Sequence, residues 1–351
     1  MVGILLDTNY ASSLWCKNLY MSLTARLRDK RIPFVELTDT CGGDLDTVFI
    51  IASDREWTRS AIQQLNAGNI RPILICNQSE HLPGCIYSCV CSDISNSMKN
   101  LLDTLKIKKK SRIALFGMNT DSIADTSRVD SLFVWKESAF ETLEVFTNNG
   151  SLADCFDRFY ARCDRFDAAI CLNDFAAVSL VRHLREKAPE KLEKLYILSC
   201  AANEISGHYR DHILSLNMNF EQYGKGAVYI YEALKKHRYL SEMTVRVVWS
   251  LETEKETPPS SVRLSLPEGK DRFYQDPELN EMMIVDKLLT LSDDTDKKII
   301  EGLLQNDTYE QIADRCFLTV GSVKYHIKKL LQLSGAADKD QMVTLLKTYL
   351  S

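Results

Sequence analysis

Near the C-terminal end, residues 319–333 read Thr-Val-Gly-Ser-Val-Lys-Tyr-His-Ile-Lys-Lys-Leu-Leu-Gln-Leu. Thr319 carries a hydroxyl suited to capping a helix N-terminus, and Val323, Ile327, Leu330 and Leu331 recur at three- and four-residue steps. That period predicts a helix with one apolar face. Lys324, Tyr325, Lys328 and Lys329 then fall on the open side. Ammonium groups neutralise phosphate, and long polar side chains reach base edges in a groove, so the chemistry open to this face is recognition of nucleic acid. Just upstream, Thr308 and Gln311 have the capping-box spacing and open a short helix through Ile312, Ala313 and Cys316, after which Phe317, Leu318 and Thr319 turn the chain. Two capped helices joined by a short turn make a helix-turn-helix. In that arrangement Lys324, Tyr325 and Lys328 are expected at base edges and Thr308 and Ser322 at phosphates, with Thr319 at the same helix start. The plainer alternative for the charge run is an amphipathic helix with solvated lysines.

Nothing else in the sequence asks for bond-making chemistry. There is no nucleophile elbow, no P-loop and no G-x-G-x-x-G, so neither an enzyme nor a cofactor is expected. Eleven cysteines are scattered without a C-x-x-C pair. The tightest group, Cys85, Cys89 and Cys91, has only His81 near it, which predicts reduced structural thiols and no metal. With 45% hydrophobic and 26% charged residues in 351, the chain has the composition of two or three globular units. A net charge of -5 argues against a protein that coats nucleic acid generally, so affinity for it must come from a local patch. The N-terminus begins as a strand, with no basic leader and no apolar run of spanning length, which predicts a cytoplasmic chain without membrane contact.

Upstream of the helical segment, short apolar runs alternate with amphipathic stretches. Strands are expected at 2–6, 34–37, 46–52, 72–76, 86–91, 112–116, 168–172, 195–199, 213–217 and 245–251. Helices are expected after Leu14, at 55–67, from Asp93 to Leu105, around 134–146, from Leu152 to Cys163, up to Lys187 and from Phe220 to His237. Such alternation implies α/β architecture with two successive doubly wound parallel sheets, a bilobed domain whose strand C-termini present their loops to a cleft between the lobes. Residues 252–269, rich in Pro, Ser and charge, read as linker, and a helix at 277–289 connects to the C-terminal segment. The division expected is a bilobed domain at 1–250, a connecting region at 251–289, and a small all-α helix-turn-helix domain at 290–351.

Two resemblances sharpen this. Leu291 to Leu346 resembles the LuxR-type DNA-binding module in Leu291 and Ser292, in Tyr309, Glu310, Gln311, Ile312 and Ala313, in Leu318 and Thr319, and in Gly321, Ser322, Val323, Lys324 and His326. It departs in the acidic and basic run 293–298 and in Ser322, where a threonine is usual. Residues 1 to about 250 resemble the periplasmic-binding-protein-like sensor of LacI-type regulators. The matching pieces are Ala169 to Ala177 with Asn173 and Asp174 at their centre, Ile213 to Gly224, Cys89 to Asp93, and Arg112 to Gly117. The resemblance implies that Asn9, Tyr10, Asn77, Arg128 and Asn173 bind a small polar ligand such as a sugar. Asn77 stands where such sensors often have aspartate, the glycine expected three residues after Arg128 is absent, and Cys200, Ala201 and Ala202 replace an expected aspartate. Each asparagine could equally serve its own loop, and Arg128 could be a surface helix residue.

The function implied is that of a ligand-responsive transcriptional regulator, binding double-stranded DNA and a small polar ligand. Closure of the cleft on ligand would change how two sensors pack and so alter the spacing of two DNA modules. A homodimer is expected, because one recognition helix reads few base pairs; Met342, Val343, Leu345, Leu346 and Tyr349 on the last helix contribute apolar surface to it. Two alternatives belong to other classes. A phosphorylation-gated response regulator would need clustered acids where Thr8 and Asn9 follow Asp7, and for a solute-binding protein that does not bind DNA, the lack of an export signal disfavours a role in transport.

Overall fold

A computed structural model describes residues 1–7, 13–40, 45–77, 82–136, 140–201, 203–237, 239–251 and 275–350. Asn9, Tyr10, His81 and the linker at 252–269 lie outside them. By chain packing the protein divides into two units, one of residues 1–100 and 217–250, the other of 101–216 and 251–351.

In the first unit, β1 (Val2–Leu6), β3 (Thr47–Ile51), β4 (Arg71–Ile75) and β5 (Ser88–Ser92) are short β-branched or apolar runs, buried over most of their length. With β2 (Phe34–Leu37) and β11 (Thr244–Val247) they form a six-stranded sheet of order β11-β5-β4-β3-β1-β2, with parallel pairing throughout. Strands buried on both faces need no polar alternation, which is why these runs are continuously apolar. Helices α1 (Leu14–Asp29) and α2 (Arg55–Ala67), capped by Ser13 and Asp54, and α8 (Phe220–Lys236) belong to the unit, and α3 (Ile94–Ile107) begins in it and runs past its boundary at residue 100.

In the second unit, β6 (Arg112–Met118), β7 (Thr142–Thr147), β8 (Ala168–Cys171), β9 (Tyr196–Ala201) and β10 (Ile213–Asn217) form a sheet of order β10-β9-β8-β6-β7, parallel across β7-β6-β8-β9. It carries α4 (Ile123–Trp135), α5 (Leu152–Tyr160), α6 (Asp174–Lys187) and the short α7 (Pro189–Leu192). Here the sequence expectation of a helix around 134–146 fails. The helix ends at Trp135, and the stretch holding Thr142, Val145, Phe146 and Thr147 forms edge strand β7. β-Branched and aromatic residues favour the pleated surface, and pairing with β6 decides for strand here.

Five further helices follow: α9 (Pro277–Leu291), α10 (Asp294–Leu304), α11 (Tyr309–Cys316), α12 (Val320–Ser334) and α13 (Lys339–Leu350). Their core is continuous with that of the second sheet, running from Phe156, Val181 and Ile205 through Leu279, Met282 and Leu288 to Val323, Leu330 and Leu346. Polar contacts reinforce it. Asp276 caps α9 and also accepts from the Leu152 amide at the start of α5, at 2.7 Å. Glu278 accepts from Arg182 at 2.9 Å and Ser179 at 3.1 Å, with His183 at 3.3 Å. The Ile205 amide donates to Asp286 at 2.9 Å.

Candidate functional site

The C-terminal edge of the second sheet is polar. β8 runs directly into Asn173, the N-cap of α6, whose Oδ1 accepts from the Ala176 amide at 2.9 Å. One residue earlier, the Leu172 carbonyl accepts from Nη1 of Arg128 at 2.8 Å, and the same nitrogen donates to Asp125 at 2.9 Å. The structure therefore brings Arg128 and Asn173 to one strand end. Arg128 is only 8% exposed, so it is an interior arginine that ties α4 to β8. Its partner Asp125 is also buried, and burial pushes the carboxyl above its ordinary range against the opposing pull of the guanidinium and of the Asn119 amide.

Asp174, fully buried, accepts from the hydroxyls of Ser199 at 2.6 Å, Ser215 at 2.7 Å and Ser206 at 2.7 Å, and from the Asn203 amide. A carboxylate with four donors is stable without a counter-ion, and these bonds tie α6 to the loops after β9.

In the first unit, Asn77 follows β4. Its Oδ1 accepts from the Ser92 hydroxyl at 2.8 Å; Ser92 meets the Tyr223 hydroxyl, and the Trp249 indole donates to Tyr223 at 3.2 Å. Trp249, Tyr223, Ser92 and Asn77 thus form one polar chain, with the indole N–H as a donor at its far end. Burial pushes the Tyr223 phenol up to about 12, which keeps its proton in place. Asp7, at the end of β1, accepts from the Asp54 amide at 2.9 Å and from that of Ser53 at 3.3 Å. It braces the loop before α2.

On the C-terminal helices, Thr308 caps α11 in a reciprocal capping box with Gln311, and Thr319 caps α12, accepting from the Ser322 amide at 3.1 Å and meeting the Ser322 hydroxyl at 2.9 Å. Val323, Ile327 and Leu330 are buried, while Lys324, Tyr325 and Lys328 are exposed. Lys329 does not share that face, contrary to expectation. Its ammonium bonds Asp296 and stands 3.6 Å from Asp293, while Nδ1 of His326 meets the other oxygen of Asp296 at 2.7 Å. Although burial disfavours its charge, these carboxylates hold the Lys329 ammonium above its ordinary pKa. Asp293, Asp296 and His326 could in principle ligate a metal ion, but the Lys329 ammonium already supplies the positive charge that Asp296 needs. The cluster fixes α12 against α10.

On the last helix, Met342, Leu346 and Tyr349 are buried within the chain. The Tyr349 carbonyl accepts from the Tyr209 hydroxyl at 2.6 Å, and Arg182 lies 4.2 Å from the centre of its ring. Val343 and Leu345 remain half-buried.

Sequence reasoning passed over Phe317, 96% exposed in the turn between α11 and α12 with a left-handed backbone, and over Asn119 and Asn148 at the ends of β6 and β7. A large aromatic side chain next to a turn, and an asparagine just after an apolar run, were the available signals.

No family model matches the sequence, and no curated protein matches it. Solved structures do share the fold. The transcriptional regulator CelR in complex with cellobiose aligns over 71% of this chain and 82% of its own, with 14% identity and a TM-score of 0.54. GanP, a glucose-galactose binding protein from Geobacillus stearothermophilus, aligns over 71% and 95% with 10% identity and a TM-score of 0.53. A regulatory protein of the LacI family from Chloroflexus aggregans aligns over 71% and 96% with 12% identity and a TM-score of 0.53. The α/β part thus has the two-sheet fold found in LacI-family regulators and sugar-binding proteins. Among the described residues no helix is long and apolar enough to cross a membrane.

Proposed function

We propose that this chain is a ligand-responsive transcriptional regulator. Residues 1–250 serve as the sensor and take a small polar ligand at loops after strand C-termini, Asn77 standing at such an end in the first unit and Asn173, with Arg128 bonded beside it, in the second. Residues 290–351 act as a LuxR-type helix-turn-helix that places α12 in the major groove of double-stranded DNA, and the working form is a homodimer reading paired half-sites. Neighbours of this fold that are described with cellobiose, ribose or glucose and galactose support a sugar-like ligand.

The observation that carries the reading is the division of α12. Its apolar positions are buried and its cap is satisfied, yet Tyr325 is 69% exposed between exposed Lys324 and Lys328. An aromatic ring flanked by cations and left in water suits a polyanion with flat, hydrogen-bonding edges. The test begins by selecting a duplex from a random pool with the full-length protein. Lys324→Ala combined with Lys328→Ala should then weaken gel-shift affinity by about 1 to 3 kcal/mol for each side chain that reaches a base. Unchanged affinity in the double variant, or failure to enrich any duplex, would remove the DNA-binding reading. Binding by the unaltered protein should fall steeply with added salt.

A further inference from the structure

Three parallel strands of the second sheet end on one edge in asparagines: Asn119 after β6, Asn148 after β7 and Asn173 after β8. Each spends its side-chain oxygen on a backbone N–H of its own loop. Asn119 accepts from Asp121 at 3.0 Å, Asn148 from Gly150 at 2.9 Å and Asn173 from Ala176 at 2.9 Å. A backbone amide can only donate, so the atom facing it is the oxygen and the orientation of each side-chain amide is fixed. Each asparagine so turned presents its amino group, with two donors, and keeps one lone pair of its oxygen. For Asn148 this is acute: the residue is 2% exposed and its Nδ2 meets no acceptor among the described residues. A buried donor without an acceptor is costly, and its retention asks for a reason outside the fold.

The two buried carboxylates of the same edge are engaged elsewhere. Asp125 is turned inward to Arg128 and the Asn119 amide, and Asp174 to three serine hydroxyls and the Asn203 amide. A neutral sugar hydroxyl donates as well as accepts, and a site for it needs oxygens to take its protons. An edge that presents amino groups while its two buried carboxylates are turned inward suits oxygens that only accept.

We infer that the sensor's ligand is a small anion, bound through a carboxylate or phosphate group, rather than a neutral sugar. This rests on the ligand-sensor reading above and names the chemical class that the same strand ends select.

The test is calorimetry and thermal unfolding of the full-length protein with matched sets: glucose, gluconate and glucose 6-phosphate; ribose, ribonate and ribose 5-phosphate; and inorganic phosphate alone. A carboxylate or phosphate member should raise the unfolding temperature and bind at least roughly tenfold more tightly than its neutral parent. The acid and phosphate arms show which of the two groups is read. Asn173→Asp retains an oxygen for the Ala176 amide, so the cap survives, but places a charged acceptor where the amino group stood. Anion binding should fall by about tenfold or more while the unliganded unfolding temperature holds. A neutral parent binding as tightly as its acid and phosphate, or an Asn173→Asp protein that keeps its anion affinity, would overturn the inference and leave the sensor reading standing. Binding of no member of either set would overturn both.

Discussion

The two units handle their outer helices differently. In the first, α2 and the strands beneath it close a core among themselves, with Leu5, Val48, Ile62, Leu65 and Leu74 in one cluster. In the second, the apolar side of α6 and the turn at Ile205 and Tyr209 are covered by α9 and α13, and one core continues into the helices that carry α12. The contacts at that junction are specific as well as apolar: Glu278 takes Arg182, Ser179 and His183 from α6, and Asp276 takes the first amide of α5. The difference teaches that the helices after residue 275 are not a bead on a string. Displacing α6 must displace α9, and with it the scaffold that holds α12.

The strongest way to break this comparison is to cut the shared core. Met282 is fully buried within it, and Met282→Ala should cost about 2 to 5 kcal/mol of stability in denaturant unfolding. Leu65→Ala, equally buried in the first unit, should cost a similar amount. Their hydrogen-exchange footprints should differ: Met282→Ala speeds exchange in α6 and α12 together, while Leu65→Ala speeds it in the first unit alone. If Met282→Ala left α6 protection unchanged, the two cores would be separate after all.

Next in size is Asp296→Ala. The carboxylate is fully buried and receives both His326 and Lys329 from α12, so its loss removes the shared acceptor of the ring and the ammonium, at about 3 kcal/mol. The sharper readout is binding. If the cluster sets the rotation of α12, DNA affinity should drop at temperatures where circular dichroism still shows a folded protein. Full affinity in the folded variant would reduce the cluster to a source of stability.

A milder change sharpens the comparison through pH. Burial pushes the Glu278 carboxyl up, but the His183 bond and the charges of His183 and Arg182 outweigh it, and the net shift is downward. A carboxyl depressed on folding contributes stability that is complete above its unfolded value, near 4.5, and is lost as pH falls through the folded value. Glu278→Gln should therefore cost about 1 to 2 kcal/mol at neutral pH, and the gap to the unaltered protein should close as pH drops below about 4.5. A gap independent of pH would mean that packing, rather than charge, joins α6 to α9.

Much of the fold was legible because parallel strands buried on both faces announce themselves as unbroken apolar runs and helix starts carry their caps. Phe34–Leu37, Arg55–Ala67 and Ile213–Asn217 fall where the residues place them. β7 was not legible, since a short edge strand that comes soon after a helix differs from helix only by the pairing it finds with β6. At the candidate ligand edge, the periodicity and the resemblance pointed to Asn173 and Arg128, but the inward bonds of Arg128 and the orientation of each amide depend on partners distant in sequence, such as Leu172 for Arg128. Lys329 shows the same limit. Helical spacing puts it beside Lys328, and only the buried Asp296 of a different helix draws it away.

The smallest effect belongs to an ion pair that resembles the Glu278 cluster on paper. Lys30 lies 3.2 Å from Glu232, linking the end of α1 to α8, but both side chains are more than a third exposed. Water and salt screen such a pair, and holding two long side chains together consumes much of the Coulomb gain. Glu232→Gln should therefore change stability by less than about 0.5 kcal/mol, and the double change with Lys30→Ala should show no more coupling than that. The measurement is a double-mutant cycle in denaturant at low and at high salt. A coupling above about 1 kcal/mol that persists in high salt would show that the first unit, too, is joined by shielded charge, and the contrast with the α6–α9 junction would fail.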